Sequence, residues 1–251
     1  MDFVRFVHIN PNTLGPTFSV RTVAEKLAKI FPTCKIDIRP PFMYDHKTIE
    51  QARIADLKQP FEKQTKQQEQ DNVVLPLYDG FVMQRLFAET LPTAEISLAH
   101  VHIIFTSLLL CTFSQDDWRY HGRAVICGTP SIISTTGIVE AVAKPQEFYL
   151  PGISSVITTR ADDYIIGLKR KLAGRFIDYD DVDKITGASI NYAVQAIFFF
   201  MTGGEPFCND KGCMLYNAHW QEELIDTIQK GVLCSHHKSM ADKFAKGSAT
   251  I

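Results

Sequence analysis

The chain lacks an excess of charge of either sign. Its 251 residues carry 26 Lys and Arg against 28 Asp and Glu, a formal charge of −2. No strong net field surrounds such a chain, so bulk attraction to nucleic acid or anionic lipid is not its working principle, although a local basic patch is still allowed. Long apolar runs are also missing. The two longest, His102 to Cys111 and Ala193 to Met201, fall far short of the roughly 20 residues of a membrane span. Met1 to Asn10 has neither a basic start nor a long apolar segment, and it reads as a strand rather than a signal peptide. No internal repeat is visible. These absences predict a soluble, cytoplasmic protein with no membrane partner.

What is present is ordinary globular composition, 45% hydrophobic and 22% charged. A chain this long buries about 70% of its unfolded surface, so it needs no disulfides to supply a core. Its six cysteines divide into two groups. Cys34, Cys111 and Cys127 sit in apolar, strand-like contexts, where cysteine behaves as a small hydrophobe. Cys208, Cys213 and Cys234 cluster near the C-terminus, and clustered cysteines in a reducing compartment read as metal ligands.

Periodicity organises the rest. Phe3 to Ile9 reads as a buried strand, and Ser19 caps a helix that faces inward with Val20, Val23, Leu27 and Ile30. Pro32 stops that helix, and Lys35 to Arg39 alternates as a second strand. Strand, helix and strand in so short a stretch predict a βαβ unit and a mixed, mainly parallel sheet. His46 to Asp71 reads as a solvated helix followed by a charged connection. Phe81 to Glu89 reads as a helix with Phe81, Val82, Leu86 and Phe87 inward. Val101 to Cys111 reads as a central strand, and Asp116 to Arg123 as a polar turn. Ala124 to Cys127 and Ser131 to Ser134 form a strand pair at the sheet edge. The longest helix runs from Val182 to Met201 and ends at Thr202-Gly203-Gly204, since glycine commonly closes helices. A last helix spans Asn217 to Gly231, with Trp220, Leu224 and Ile228 inward. Residues 1–201 are thus expected to form an α/β core, and 202–251 a C-terminal piece packed on it.

Cys208 and Cys213 flank four residues. Cys234 follows a helix-length spacer, with His236 and His237 just beyond it. Three thiols and one imidazole suit a closed tetrahedral Zn²⁺ site, which has no open position and is therefore structural. His237 keeps a two-residue gap to Cys234, whereas His236 and His219 compete with it for the fourth place.

The run from Thr202 to Asn217 resembles the tail of the archaemetzincin-type zinc metallopeptidases, whose pattern is H-E-x-x-H-x-x-G-x-x-H-C, four residues, C-x-M, then C-x-x-C. Gly204, Cys208 and Cys213 align with it without a gap. Cys234 comes one residue late, His237 stands in the place of the last cysteine, and Met214 is one place early. Pro76 to Phe81, Arg119-Tyr120-His121 and Ile133 to Ala141 resemble an archaeal family related to those peptidases. The resemblance implies a metzincin-like, three-layer α/β domain with a C-terminal structural zinc subdomain. It also assigns the three catalytic histidines to Ile197, Met201 and Phe207 and the general base to Phe198. None of these can supply a nitrogen or oxygen donor or take a proton, and no shifted H-E-x-x-H occurs elsewhere.

The expected function is therefore that of a pseudo-peptidase, a metallopeptidase-like protein without peptidase activity that binds or scaffolds an unknown protein or peptide partner. A second reading moves hydrolase chemistry to Arg119, His121 and Glu140, within a polar cluster that includes Asp116, Asp117 and Arg123. His–carboxylate pairs suit proton transfer and Arg suits anions, but the same groups also fit a solvated turn. A third reading, a zinc-containing nucleic-acid binder using Lys169-Arg170-Lys171 and Arg175, is opposed by the balanced charge. Ser134 to Gly137 offers backbone N–H groups to an anion but has no P-loop Lys. His100 and His102 share one strand face, as metal ligands or as locally hydrogen-bonded histidines.

Overall fold

In the computed structural model, described over residues 4–11, 17–41, 44–54, 75–149, 167–204 and 206–245, the chain opens with the expected βαβ unit. β1 (Phe6–Asn10) leads to α1 (Val20–Ile30), where the Ser19 hydroxyl accepts the Thr22 N–H and so satisfies a first-turn donor. β2 (Lys35–Ile38) returns parallel to β1. α2 (His46–Glu50) is shorter than expected and gives way to β3 (Arg53–Ile54); the rest of the anticipated charged stretch, 55–71, lies outside the described residues. β4 (Leu77–Asp79) feeds α3 (Gly80–Ala88), capped by the Asp79 carboxylate. That cap starts the helix at Gly80, so Gly80, Met83, Leu86 and Phe87 form the buried face. Phe81 lies about 100° around from Gly80 and is 60% exposed, which corrects its inward assignment.

The anticipated central strand is two. β5 (His100–Thr106) ends where the Leu108 N–H turns back onto the Thr106 hydroxyl, and β6 (Leu109–Ser114) departs into another sheet. The expected polar turn is mostly strand as well: β7 (Arg119–Arg123) pairs antiparallel with β6. β8 (Val125–Ile126) and β9 (Ser131–Ser134) pair antiparallel as expected. α4 (Thr135–Glu140), α5 (Val182–Thr202), α6 (Gln221–Lys230) and α7 (Ser235–Ala245) follow. α7 was not foreseen. Trp220 is the N-cap of α6 and half-exposed rather than inward, while Gln221, Leu224, Ile225 and Thr227 are buried.

The fold is α/β with two sheets where one was expected. The five-stranded sheet has the order β2-β1-β5-β9-β8 and is parallel except for its edge strand β8. The four-stranded sheet, β3-β4-β6-β7, is mixed. Side chains alternate across a strand, so the two faces of the larger sheet serve different cores. Val7, Ile9, Val101, Ile103, Phe105 and Ile133 pack with α1, α5 and α6. Ile104 and Ile132 pack with α3 and with Leu110 of β6. Among the described residues α5 is the one helix long and apolar enough to cross a bilayer, yet 67% of its most apolar window is buried within the protein. It is enclosed because sheet and helices cover it on several sides.

Candidate metal centre

α5 stops at Gly203, whose φ of +63° places it in the left-handed region that glycine enters without strain. The chain then turns under the helix. The Cys208 N–H donates to the Leu215 carbonyl, and a tight turn separates Cys208 from Cys213. Asp210 builds that turn: its carboxylate accepts the Gly212 N–H at 2.8 Å and its carbonyl accepts the Cys213 N–H. α6 carries the chain away, and Gly231, at φ +57°, folds it back. Lys26 of α1 donates to the Gly231 carbonyl and holds the fold-back in place. The Met214 N–H then bonds the Val232 carbonyl, which draws Cys234 to the turn.

Four donor atoms converge as a result. Cys208 Sγ lies 3.9 Å from Cys234 Sγ, and His237 Nδ1 lies 3.8 Å from Cys213 Sγ and 3.2 Å from Cys234 Sγ. All four lie within 4.8 Å of one another. Zn–S bonds of about 2.3 Å at tetrahedral angles put sulfurs about 3.8 Å apart, close to the 3.9 Å between Cys208 and Cys234. Of the competing histidines, His237 is the one brought in. His236 stands beside it, ring centroids 5.0 Å apart. His219 precedes α6, where its N–H donates to Glu223.

The electrostatics also suit a cation. Burial raises the Cys234 thiol, but the backbone N–H groups of His237 and His236, at the start of α7, and the neighbouring thiols outweigh burial and bring it below its ordinary value. A helix N-terminus favours a thiolate in this way. Burial pushes Cys213 up to about 12, so without a cation it stays a thiol, and a bound metal would remove its proton. Burial, and then His236, lower His237, leaving it the neutral imidazole that ligates metals. Phe198 of α5 packs edge-on against the His237 ring at 5.5 Å. The residue assigned to the general-base position is thus a wall of the cysteine cluster.

The other candidates disperse. Asp117 is held by His121 at 2.9 Å and by Arg119 at 2.5 Å on an exposed turn. Those hydrogen bonds, His121 first, draw its carboxyl down to about 2. Glu140 instead pairs with Lys144 at 2.8 Å, and Arg123 donates to the Thr112 hydroxyl. Among the described residues no hydrogen bond or ion pair joins Glu140 to Arg119 or His121. Ser134 accepts the Gly137 N–H, while the Thr136 hydroxyl donates to the Ser107 carbonyl, so these groups are spent on capping α4 and fastening it to the chain before β6. In the basic run Lys169 pairs with Asp178, and Arg175 with Glu147 and Glu222. His100 and His102 do share a face of β5, and His8 of β1 joins them there. His8 escaped notice because a lone histidine in an apolar strand looks like any buried residue. Its phase, opposite to Val7 and Ile9, was the available signal.

Comparison with curated proteins finds no match, and comparison with solved structures finds none either. One family matches almost the whole chain, over residues 4–244, and its description implies a metal. The chain belongs to the Probable metallopeptidase family (DUF6775).

Proposed function

We propose that this family member has lost peptidase chemistry and works by binding a protein or peptide partner on a metzincin-like, three-layer fold. Cys208, Cys213, Cys234 and His237 would hold a structural Zn²⁺ that clasps the segment after α5. One observation carries the loss. Ile197 and Phe198, at the positions assigned to the first ligand and the base, are 0% and 2% exposed within the main core. A bound zinc here supplies folding free energy rather than a Lewis acid, because all four of its positions are protein donors. The six free thiols suit a reducing cytoplasm.

A cleft of about 210 Å³ beside edge strand β8 supports the binding role; Arg123, Val125, Gln195, Phe207, Tyr216 and His219 are among its lining residues. Edge strands accept extended peptides through free backbone groups. Gln195 is 2% exposed and its Oε1 has no hydrogen-bond partner, so it offers a buried acceptor to a ligand. The relocated-hydrolase reading fares worse, since His121 and Glu140 are each committed to another partner.

Metal analysis tests the site directly. The chain should keep one zinc through exhaustive treatment with a chelator and release it only on unfolding. Cys213→Ser should lose that ion and become protease-sensitive over 206–245. A Cys213→Ser protein that keeps its chelator-resistant zinc would show the ligand set to be wrong. Chelator-sensitive cleavage of a generic peptide library by the pure protein would overturn the loss of peptidase activity.

A further inference from the structure

The larger sheet carries a polar row on a face that otherwise belongs to a core. Asp37 of β2, His8 of β1 and His102 of β5 stand side by side in register. His8 and His102 are 3% and 2% exposed, with ring centroids 4.7 Å apart. Over them lies Glu95, the last residue of a 3₁₀ turn (Thr93–Glu95) that precedes β5. Its Oε2 is 3.8 Å from His8 Nε2 and 3.6 Å from His102 Nε2. Both gaps are too long for hydrogen bonds, yet the three atoms all lie within 4.8 Å of one another. His102 Nε2 is buried with no hydrogen-bond partner, a state that calls for an explanation in a folded protein.

The surroundings orient each group inward. His8 Nδ1 is 3.2 Å from the Asp37 carboxylate, which favours the proton there and leaves Nε2 an acceptor, hydrogen-bonded to His100 Nδ1 at 2.8 Å at the edge of the cluster. His102 Nε2 is buried without a hydrogen-bond partner and faces Glu95 Oε2 at 3.6 Å. Arg39 grips both oxygens of Glu95, at 2.8 and 2.7 Å, and also reaches Asp37. Metal-ligating histidines characteristically donate their second N–H to a carboxylate or a backbone carbonyl, and His8 does so through Asp37. A pair of protonated imidazoles on Glu95 would be the other explanation of the spacing, but such a pair would close to hydrogen-bond distance, and the gaps are 3.8 and 3.6 Å.

We propose that His8, Glu95 and His102 form a second, separate site for a divalent transition-metal ion of the zinc class. Two imidazole nitrogens and one carboxylate oxygen bind it, leaving one position of a tetrahedral ion open to water or a small ligand. The site lies on the sheet face away from α5, whereas the cysteine cluster packs against α5, so neither site depends on the other. Two features weaken its grip. His100 Nδ1 is 2.8 Å from His8 Nε2 and must give up that hydrogen bond. The Arg39 guanidinium repels a cation. The ion should therefore exchange with a chelator, and the cysteine site should fill first. With both histidines buried, a polypeptide does not reach the ion.

Cobalt titration of the metal-stripped full chain separates the two sites. The first equivalent should bring intense thiolate-to-cobalt absorption from the cysteine site. The second should add only weak visible bands of nitrogen and oxygen ligation. His102→Gln and Glu95→Gln should each bind one equivalent and keep the thiolate absorption, while Cys213→Ser should bind one equivalent without it. Circular dichroism identifies any variant that fails to fold, and the other of the pair then decides. Saturation of the wild type at one equivalent overturns the proposal. So does a second equivalent retained by a folded His102→Gln or Glu95→Gln protein, which marks that ion as adventitious. Failure of the thiolate absorption alone would sink the cysteine site and leave this one standing.

Discussion

Phe198 shows how one side chain ties several elements together. It is 2% exposed and contacts Phe31, His237 and Phe244, so it joins α1, α5 and α7 in one contact. Phe198→Ala should cost about 3–5 kcal/mol through lost transfer energy and the cavity left behind, read from urea unfolding. Arg39 works by charge. It forks Glu95, whose side chain is 19% exposed, and also binds the more solvated Asp37. Arg39→Met should destabilise by about 1–3 kcal/mol, because it strands a poorly solvated carboxylate, with solvent around Asp37 holding the loss to the lower half of that range. A denaturation midpoint unchanged from wild type would show that water replaces the guanidinium.

At the scale of elements, the packing of α4 against the β7–β8 connection turns on Gly137. A Cβ there would stand 2.3 Å from the Arg123 carbonyl oxygen and 3.0 Å from the Ala124 Cα. Backbone cannot rotate aside, so Gly137→Ala should cost at least the ~1–3 kcal/mol of ordinary overpacking, and thermal unfolding measures it. The β6–β7 hairpin makes a prediction about pH. Asp117 titrates at about 2 when folded, against 3.8 for the free side chain, because His121 and Arg119 bond its charged form. The folded value is the lower one, so this pairing supports the hairpin above pH 3.8 and is lost as pH falls towards 2. An NMR titration of the Asp117 carboxyl should place its midpoint near 2; a midpoint at the free-chain value would show the turn to be unpaired in solution.

Over the whole molecule, two cores share one sheet, and the C-terminal segment belongs to the larger core through Met214, Leu215, Leu224 and Ala241. Structural zinc contributes on the order of 10 kcal/mol in small modules, but the proposed site here adjoins a large apolar core that has its own packing. Stripping the metal should therefore raise hydrogen exchange across 206–245 and leave β1, β5 and β9 protected. Uniform loss of protection would mean that the ion holds the entire chain together.

Local chemistry alone was enough for the βαβ opening, the Ser19 cap, the β8–β9 pair and the Gly203 stop, and it singled out Cys208, Cys213, Cys234 and His237, whose donor atoms the fold brings within 4.8 Å of one another. Alternation, capping and ligand spacing are properties of neighbouring residues, so they can be read along the chain. Thr106 to Leu109 could not be read in this way. An apolar run looks continuous whether or not it changes sheet, and only the Thr106 turn and the pairing of β6 with β4 and β7 divide it. The inward assignments of Phe81 and Trp220 failed because the cap, not the apolar pattern, sets the phase of a short helix. His8, Glu95 and His102 come from segments far apart in sequence. Strand order placed β1 beside β5 and carried Glu95 over the row between them; such a juxtaposition exists only once the sheet has formed, because no spacing along the chain encodes it.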